Sequence, residues 1–297
     1  MRAALQGSIA ALAAAAIVTG CRASPPPVAT PGPASDTRWV EGGAGRLRVT
    51  DRGAGSPAIV FLHGLGNDRT VWDAQLEHLR ARYRVVAYDQ RGHGDSAAAS
   101  AGDYTLAALA DDLEAVRRQL GLGPMVLVGH SMSGAVITTY AGRHPDAVAG
   151  LVYVDAIGDL AVLPPADVAP VVAAANAVVD APGRQAFFRA ELARAQPATR
   201  ARVDAGLARM DGAAFGAMFT ALGALRDGRA RLAPYHGPAV AIEDATNHSP
   251  DLASASLGVR RVELAGVSHW LHLDDPDGFA RALDAFLATL PTTAPPR

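Results

Sequence analysis

The sequence contains a single cysteine and few charged residues, and both scarcities exclude classes of protein. Cys21 has no second cysteine with which to form an internal disulfide, a zinc site or a redox pair. Charged residues make up 19% of the chain, and the 27 basic and 29 acidic side chains are scattered without a basic block that could follow a phosphate backbone. Nucleic acid is therefore not an expected partner.

Short motifs for metals and nucleotides are also missing. The nine histidines do not fall at H-E-x-x-H or similar spacing, and no G-x-G-x-x-G follows the first strand-like run. The sequence thus predicts no metal site and no cofactor, and it leaves a small molecule as the expected partner.

The N-terminus has the pattern of an export signal. Residues 1–20 carry Arg2 and then an Ala/Leu/Ile/Val run that is shorter than a typical transmembrane helix. The run ends in VTGC (18–21), which resembles the bacterial lipobox, so Cys21 is expected to be lipidated. An ordinary signal peptide with an incidental cysteine is the alternative. The lipobox implies export in a bacterium and a membrane anchor facing the periplasm or the cell exterior.

The flanking segments have the composition of unpacked chain. Residues 21–37 are rich in Pro, Ala and Ser without apolar periodicity, which is typical of an extended spacer. Residues 291–297 have the composition of a frayed tail. Between them, a chain that is 49% hydrophobic is long enough to bury one sizeable core.

Strand-like and helical patterns alternate through this central part. The alternation predicts an α/β fold: a mostly parallel, eight-stranded sheet with helices on both faces. RWVEGG and RLRVTDRGAG form a predicted antiparallel hairpin at the sheet edge, and 106–121 has helical spacing and ends on Gly. Six further runs have strand length and β-branched content: 58–62, 84–88, 125–129, 151–154, 239–242 and 259–264.

One interval lacks strand-like runs. Residues 158–234 contain Ala-rich helical segments punctuated by Pro-Pro, Pro-Gly and Asp-Gly, which predicts a helical cap inserted into a core formed by 38–157 and 235–290. Its large apolar residues either line a pocket or pack the cap helices together, and packing is the expectation for most of them. They are Phe187, Phe188, Met210, Phe215, Met218 and Phe219.

VLVGHSMSGAV (126–136) places Ser131 between a strand-like run and a helical one. A serine at such a strand-to-helix turn matches a nucleophile elbow, which requires small residues two positions to either side. Gly129 meets this requirement, and Ser133 stands where the usual G-x-S-x-G pattern has Gly. A serine in any Gly/Ser-rich turn would imitate the pattern, so the assignment depends on other segments.

Two further segments support it. HGLGND (63–68) follows a predicted strand, where free backbone N–H groups at the carboxyl end of the sheet can bind a ligand. In a hydrolase, the amides of Leu65 and Met132 would form the oxyanion hole. GVSHW (266–270) places His269 in a loop after the last strand, where it can act as a general base. His272 is a rival, but it lies further from the strand end.

The region from about residue 38 to 290 resembles the α/β-hydrolase fold family, and within it the capped hydrolases that include haloalkane dehalogenases and cofactor-free haloperoxidases. HGLGND, DQRGHGDS, GHSMSG and GVSHW match the family's motifs in order. The resemblance implies Ser131 as nucleophile, His269 as base and the Leu65 and Met132 amides as oxyanion hole. Asp89 and Arg91 are expected to hold loops. A dehalogenase would have Asp at position 131, which disfavours that reaction.

Two segments of the sequence can supply the carboxylate that completes a Ser-His-acid triad. Most family members carry it after the strand that follows the cap, but there Asn247 stands near the position, with Asp244 and Asp251 to either side. A minority carry it after the strand that precedes the cap, where Asp155 lies. The prediction is Asp155, with Asp244 as the alternative.

The sequence predicts a serine hydrolase that cleaves a small ester, lactone or amide through an acyl-enzyme. Alternatives on the same triad are a C–C bond hydrolase and a haloperoxidase or perhydrolase-like enzyme. A lipid-anchored binding module without turnover is an alternative of another class.

Overall fold

The computed structural model of the chain describes residues 36–178 and 180–291. The predicted signal peptide 1–20, the lipidation site Cys21, almost all of the 21–37 spacer and almost all of the 291–297 tail lie outside the described residues. Within the described part of the chain, no helix combines the length and the apolar character needed to cross a bilayer.

An eight-stranded sheet forms the centre of the molecule, in the spatial order β1-β2-β4-β3-β5-β6-β7-β8. β2 pairs antiparallel with β1 and β4, whereas all other pairs are parallel. The predicted α/β class, the eight strands and the edge hairpin are therefore confirmed. The strands are β1 (Thr37–Gly42), β2 (Gly45–Arg52), β3 (Ala58–Leu62), β4 (Val85–Tyr88), β5 (Met125–His130), β6 (Val148–Val154), β7 (Ala239–Asp244) and β8 (Arg260–Leu264).

Helices cover both faces of the sheet. The described residues form α1 (Asp73–Leu79), α2 (Leu106–Gln119), α3 (Ser133–Arg143), α4 (Pro165–Asn176), α5 (Ala181–Phe187), α6 (Arg189–Leu192), α7 (Pro197–Arg209), α8 (Gly212–Gly223), α9 (Gly228–Leu232), α10 (Ala253–Leu257), α11 (Leu271–Asp274) and α12 (Pro276–Leu287). Short 3-10 turns occupy Arg69–Trp72, Pro145–Ala147 and Leu160–Val162.

Alternating side chains of the central strands pack into two separate hydrophobic cores, one on each face of the sheet. Val60 and Leu127 pack on one face with residues of α2 and α3. Phe61 and Val128 point to the other face and pack with residues of α1 and α12. β3, β5 and most of β6 are buried on both faces, which explains their near-continuous apolar sequence.

Helices α4 to α9 all lie between β6 and β7, inside the interval 158–234 that the sequence assigns to a cap. Met210, Phe215 and Met218 are buried. The segment contacts the strand-end loops below it: a Cβ on Gly206 of α7 would approach Gly66 O to 2.1 Å, so only glycine permits this contact. The hydroxyl of Tyr104 donates to Asp211 at 2.8 Å. The helices therefore stand over the carboxyl ends of β3 to β7.

Candidate active site

Ser131 lies in the two-residue turn between β5 and α3. Its φ of +55° is rare for a residue with a side chain and costs about 1–3 kcal/mol. The chain folds back so tightly that a Cβ on Gly129 would lie 2.7 Å from Ser133 O. The backbone therefore explains both the small-residue pattern and the exposure of the serine at the strand end.

The loop after β3 brings further backbone amides beside this serine. A Cβ on Gly64 would lie 2.5 Å from His130 Nδ1 and 3.0 Å from the Ser131 Cβ, which shows how closely the loop approaches. Leu65, Met132 and Ser131 line the same cavity. The N–H groups of Leu65 and Met132 donate to no acceptor among the described residues, so both remain available to a developing oxyanion.

Ser133, the residue in place of the usual Gly, joins the Ser131 turn to this loop. Its fully buried hydroxyl donates to His63 O at 2.6 Å and accepts from Gln90 Nε2 at 3.0 Å. Gln90 in turn donates to His63 O at 2.7 Å. The departure from the pattern therefore adds hydrogen bonds between three strand ends.

His269 lies between β8 and α11, and its Nδ1 is 2.7 Å from Asp155 Oδ2. Asp155 is the residue directly after β6, with φ of +41° and a side chain only 1% exposed. The Asp244 amide donates to Asp155 Oδ1 at 3.2 Å, and Asn247 Nδ2 donates to Oδ2 at 3.1 Å. These hydrogen bonds hold the Asp155 carboxylate in place. The carboxylate in turn binds Nδ1 of His269, which leaves the other ring nitrogen to face Ser131.

The alternative acid, Asp244, has a different partner. Its Oδ2 is 2.5 Å from Arg194 Nη1, and Thr246 donates to both of its carboxylate oxygens. Burial acts to raise the pKa of Asp244, but the hydrogen bonds from Arg194 and Thr246 outweigh it and lower the pKa. Arg194 also donates to Val267 O at 2.8 Å, so it joins the cap segment to the His269 loop.

The rival histidine, His272, is fully buried and does not line the cavity. Its ring stacks on Trp72 with centroids 4.1 Å apart, and neither ring nitrogen has a hydrogen-bond partner. Burial, together with the neighbouring His269 and the positive charge of Arg202, lowers the pKa of His272 to about 3. A base must reach the nucleophile, and His272 does not.

His130, next to the serine, supports the His269 loop. Its Nε2 lies 2.9 Å from His269 O. Burial, reinforced by the neighbouring imidazoles of His269 and His272, lowers the pKa of His130 well below its usual value. A neutral imidazole is therefore packed behind the site, where it donates to the backbone of the loop.

Asp89 and Arg91 hold loops, as the sequence suggests. Asp89 accepts from the Arg69 amide at 2.7 Å and pairs with its guanidinium. Arg91 forms a buried ion pair with Asp112, with Nε and Oδ2 2.6 Å apart. Neither Asp89 nor Arg91 lines the cavity around Ser131.

The cavity has a volume of about 510 Å³ and two chemically different walls. The apolar wall includes Phe187, Phe188 and Phe219, three of the six large cap residues singled out in the sequence, and their rings also pack against one another. The polar wall carries four carboxylates, Asp155, Glu191, Asp244 and Asp251, and one guanidinium, Arg194. That guanidinium is paired with Asp244.

The contacts of two residues of this site were not predicted from the sequence. Arg194 lies in an Ala-rich helical stretch that gives no sign of its partner 50 positions away, and Asn247 is noticeable only as a residue in place of an expected acid. Among residues 36–178 and 180–291, no group of three or more His, Cys, Asp or Glu side chains is arranged to hold a metal ion.

Comparison with known proteins places the chain in a family. The family model described as alpha/beta hydrolase fold matches residues 57–276, about three quarters of the chain, and the chain belongs to this family. A hydrolase from Pseudomonas aeruginosa PA01 has a similar structure, with a TM-score of 0.73, 27% identity, and coverage of 86% of this chain and 100% of that one.

Two curated relatives match in sequence. The sn-1-specific diacylglycerol lipase ABHD11 of Mus musculus is 39% identical over 132 residues, which cover 44% of this chain and 42% of the relative. The 2-(acetamidomethylene)succinate hydrolase of Mesorhizobium japonicum is 35% identical over 119 residues, covering 40% and 42% respectively. The chain thus matches about two fifths of the length of these relatives.

Proposed function

We propose that the protein is a serine hydrolase that cleaves small neutral carboxylic esters, lactones or amides through an acyl-enzyme. The observation that carries this proposal is the 2.7 Å contact between His269 Nδ1 and Asp155 Oδ2, at a cavity that also contains Ser131 at a strained strand-to-helix turn. Membership of the α/β hydrolase family and the resemblance to a diacylglycerol lipase and a 2-(acetamidomethylene)succinate hydrolase support the same chemistry.

Each residue has a distinct role in this proposal. His269 takes the proton of the Ser131 hydroxyl as the oxygen attacks the carbonyl carbon, and Asp155 stabilises the resulting imidazolium. The Leu65 and Met132 amides stabilise the oxyanion, an interaction for which loss of one donor costs about 10²–10³ in kcat. His269 then protonates the leaving group. In the second half of the reaction His269 takes a proton from a water molecule, which attacks the acyl carbon, and returns a proton to the Ser131 oxygen as the acid is released.

The charge distribution of the cavity selects among substrates. Four carboxylates line it, and its guanidinium is already paired. A substrate carboxylate would meet repulsion without a free cation to offset it, because the Arg194 charge is shared with Asp244. We therefore expect neutral esters to be hydrolysed faster than the corresponding monoesters of dicarboxylic acids.

The test combines labelling with turnover. The protein is treated with a fluorophosphonate and examined by mass spectrometry, and hydrolysis of p-nitrophenyl acetate is measured in parallel. We expect one adduct, on Ser131, and loss of both labelling and turnover in Ser131→Ala. Ser100→Ala, which removes an exposed hydroxyl, is the matched control and should behave as the wild type. A labelled Ser131 without turnover of any ester, lactone or amide would favour the binding-module alternative.

We also propose that the protein is exported and anchored through a lipid on Cys21, facing the periplasm or the cell exterior of a bacterium. The VTGC sequence and the Pro-rich 21–37 spacer support this, because such a spacer would hold a folded domain away from a membrane surface. Expression of the full chain in bacteria with labelled palmitate should give a labelled protein in the membrane fraction. Cys21→Ser should abolish the label, and unlabelled wild-type protein would contradict the proposal.

A further inference from the structure

A second, smaller cavity adjoins the one around Ser131. It lies between α4 and α8, has a volume of about 130 Å³ and is here called the α4–α8 recess. Four apolar residues line both cavities, so the recess opens from the site itself. They are Ile157, Val171, Phe219 and Leu222. The remaining apolar residues of the recess are Leu160, Leu163, Val168, Val172 and Gly223.

The width of the recess depends on the contact between the two helices. A Cβ on Gly223 of α8 would lie 2.6 Å from Val172 Cγ2 of α4, so the glycine allows a close approach at this end. Beyond it, Val168, Val172 and Gly223 also line an outer groove of about 500 Å³ on the protein surface. The apolar lining of the recess thus continues, through these three residues, into a groove that also contains Thr220 and Arg226.

The chemistry of the lining restricts what can occupy the recess. Among the described residues, those that line it include no cationic or amide side chain, and the charged groups are the carboxylates of Asp167 and Asp251. Asp251 already accepts a hydrogen bond from the Ser249 hydroxyl. An anionic chain end would be repelled by both carboxylates, whereas each methylene group placed here leaves water for apolar surface. The recess therefore suits an uncharged hydrocarbon chain.

The position of the recess relative to Ser131 and His269 indicates which half of an ester it receives. The leaving group must lie beside His269, since that imidazole protonates it. His269 does not line the recess. Ile157, in contrast, lines it and donates from its amide to Ser131 O at 3.1 Å. The chain that stays on the serine is thus the one directed toward the recess.

We propose that the α4–α8 recess is the acyl-chain subsite, which makes the preferred substrates esters of unbranched, medium-length fatty acids. This inference rests on the proposed serine hydrolase function. An apolar protein cavity of roughly 150 Å³ holds a benzene ring, so the 130 Å³ recess has room for about six carbons. Longer chains extend into the outer groove and remain partly in water.

The test is a series of p-nitrophenyl esters from acetate to decanoate. We expect kcat/KM to rise by about fourfold per methylene that enters the recess and then to level off. Val168→Phe fills the recess and should lower the ratio of kcat/KM for hexanoate to that for acetate at least tenfold. Val172→Ala widens it and should move the optimum to longer chains. Ala166→Phe adds the same ring on the exposed side of α4 and is the matched control, with an unchanged ratio.

A series of n-alkyl acetates places the chain in the leaving group and should show no such rise. A rise of equal steepness in that series, or a hexanoate-to-acetate ratio that Val168→Phe and Val172→Ala leave unchanged, overturns the subsite. Melting temperatures of both variants verify that they are folded. Failure of the subsite is distinct from failure of the proposed function, because acetate turnover and Ser131 labelling persist in the first case and are absent in the second.

Discussion

Asn247 Nδ2 donates to the Asp155 oxygen that also contacts His269 Nδ1, at 3.1 Å and 2.7 Å respectively. The residue that stands where most of the family has its acid thus hydrogen-bonds to Asp155, the residue directly after the preceding strand. One residue after β7 and one directly after β6 contribute to the same carboxylate–imidazole contact. This arrangement makes the assignment of the acid directly testable.

Asp155→Asn should lower kcat on p-nitrophenyl acetate by about 10⁴, the loss seen when the acid of a serine protease triad becomes an amide. An amide at this position can no longer stabilise the imidazolium. Asp244→Asn is the matched control, since it removes a buried carboxylate that contacts Arg194 rather than His269, and should reduce kcat no more than about tenfold. Greater damage from Asp244→Asn than from Asp155→Asn would show that the acid has been assigned to the wrong strand.

Adding Asn247→Asp to Asp155→Asn should restore at least tenfold of the lost kcat. The new carboxylate would stand within hydrogen-bonding distance of residue 155, and a small shift would bring it to His269. Asn247→Asp alone places a second carboxylate beside Asp155 and should move the acidic limb of the kcat/KM profile to higher pH, because the added negative charge favours the protonated base. The measurement is the pH dependence of both variants. No recovery in the double variant would show that the acid works only from β6.

Ser133→Ala should destabilise the fold by about 1–2 kcal/mol, because it removes the hydrogen bonds to His63 O and Gln90. Ser133→Gly restores the residue usual in the family, yet it should cost about 0.5–1 kcal/mol more than Ala, since glycine is unfavourable in a helix. Urea unfolding measures both effects, with Ser100→Ala as the control. If Ser133→Gly were as stable as the wild type, the hydroxyl would contribute nothing to the link between the strand ends.

Stability should fall as the pH drops below about 6.5, in part because of His272. The pKa of His272 is about 3 in the folded chain, lowered by burial, so only the unfolded chain takes up this proton between about pH 6.5 and that value. Unfolding therefore becomes easier on acidification, by at most about 1.4 kcal/mol per pH unit for each such histidine. His93, whose pKa burial also lowers to about 3, acts in the same direction.

Urea unfolding of His272→Phe between about pH 5 and about pH 7 measures its share. The phenyl ring keeps the stacking on Trp72 and has no group to protonate. We expect a shallower pH dependence for this variant and an unchanged one for His236→Phe, which alters an exposed histidine. Equal slopes for all three proteins would mean that His272 takes up its proton equally in the folded and unfolded states.

Most of the sheet could be predicted because strands buried on both faces need uninterrupted apolar residues. The exceptions have physical causes. β6 begins at Val148, three residues before the predicted start. The prediction began late because Gly150 interrupts the apolar run in the sequence. In the structure this glycine lies within the strand, and a Cβ there would lie 3.1 Å from Phe286. β7 continues to Asp244 because the buried Glu243 is satisfied by Ser254 and Arg261. Such partners are distant in sequence and cannot be identified from the local pattern.

The site was predictable to the extent that strand ends determine it. Ser131, Asp155 and His269 each follow a strand by a few residues, so the topology alone brings them to one edge of the sheet. Arg194 and the amide of Asn247 act across 50 and 92 positions of sequence, and only the packed chain shows their contacts. The catalytic roles of these residues stay predictions until the variants are measured.

The backbone at Ser131 and at Asp155 extends the hydrogen-bond ladder of the sheet. The Ser131 amide donates to Val154 O at 3.1 Å, and the Asp155 amide donates to Ile242 O at 2.9 Å. These two N–H groups should therefore exchange with deuterium as slowly as the amides of the central strands. Amides of the largely exposed α4 should exchange faster, through local opening. A mild denaturant would then reduce the selectivity among acyl-chain lengths while Ser131 still reacts with a fluorophosphonate. Selectivity and reactivity would thus be lost at different denaturant concentrations.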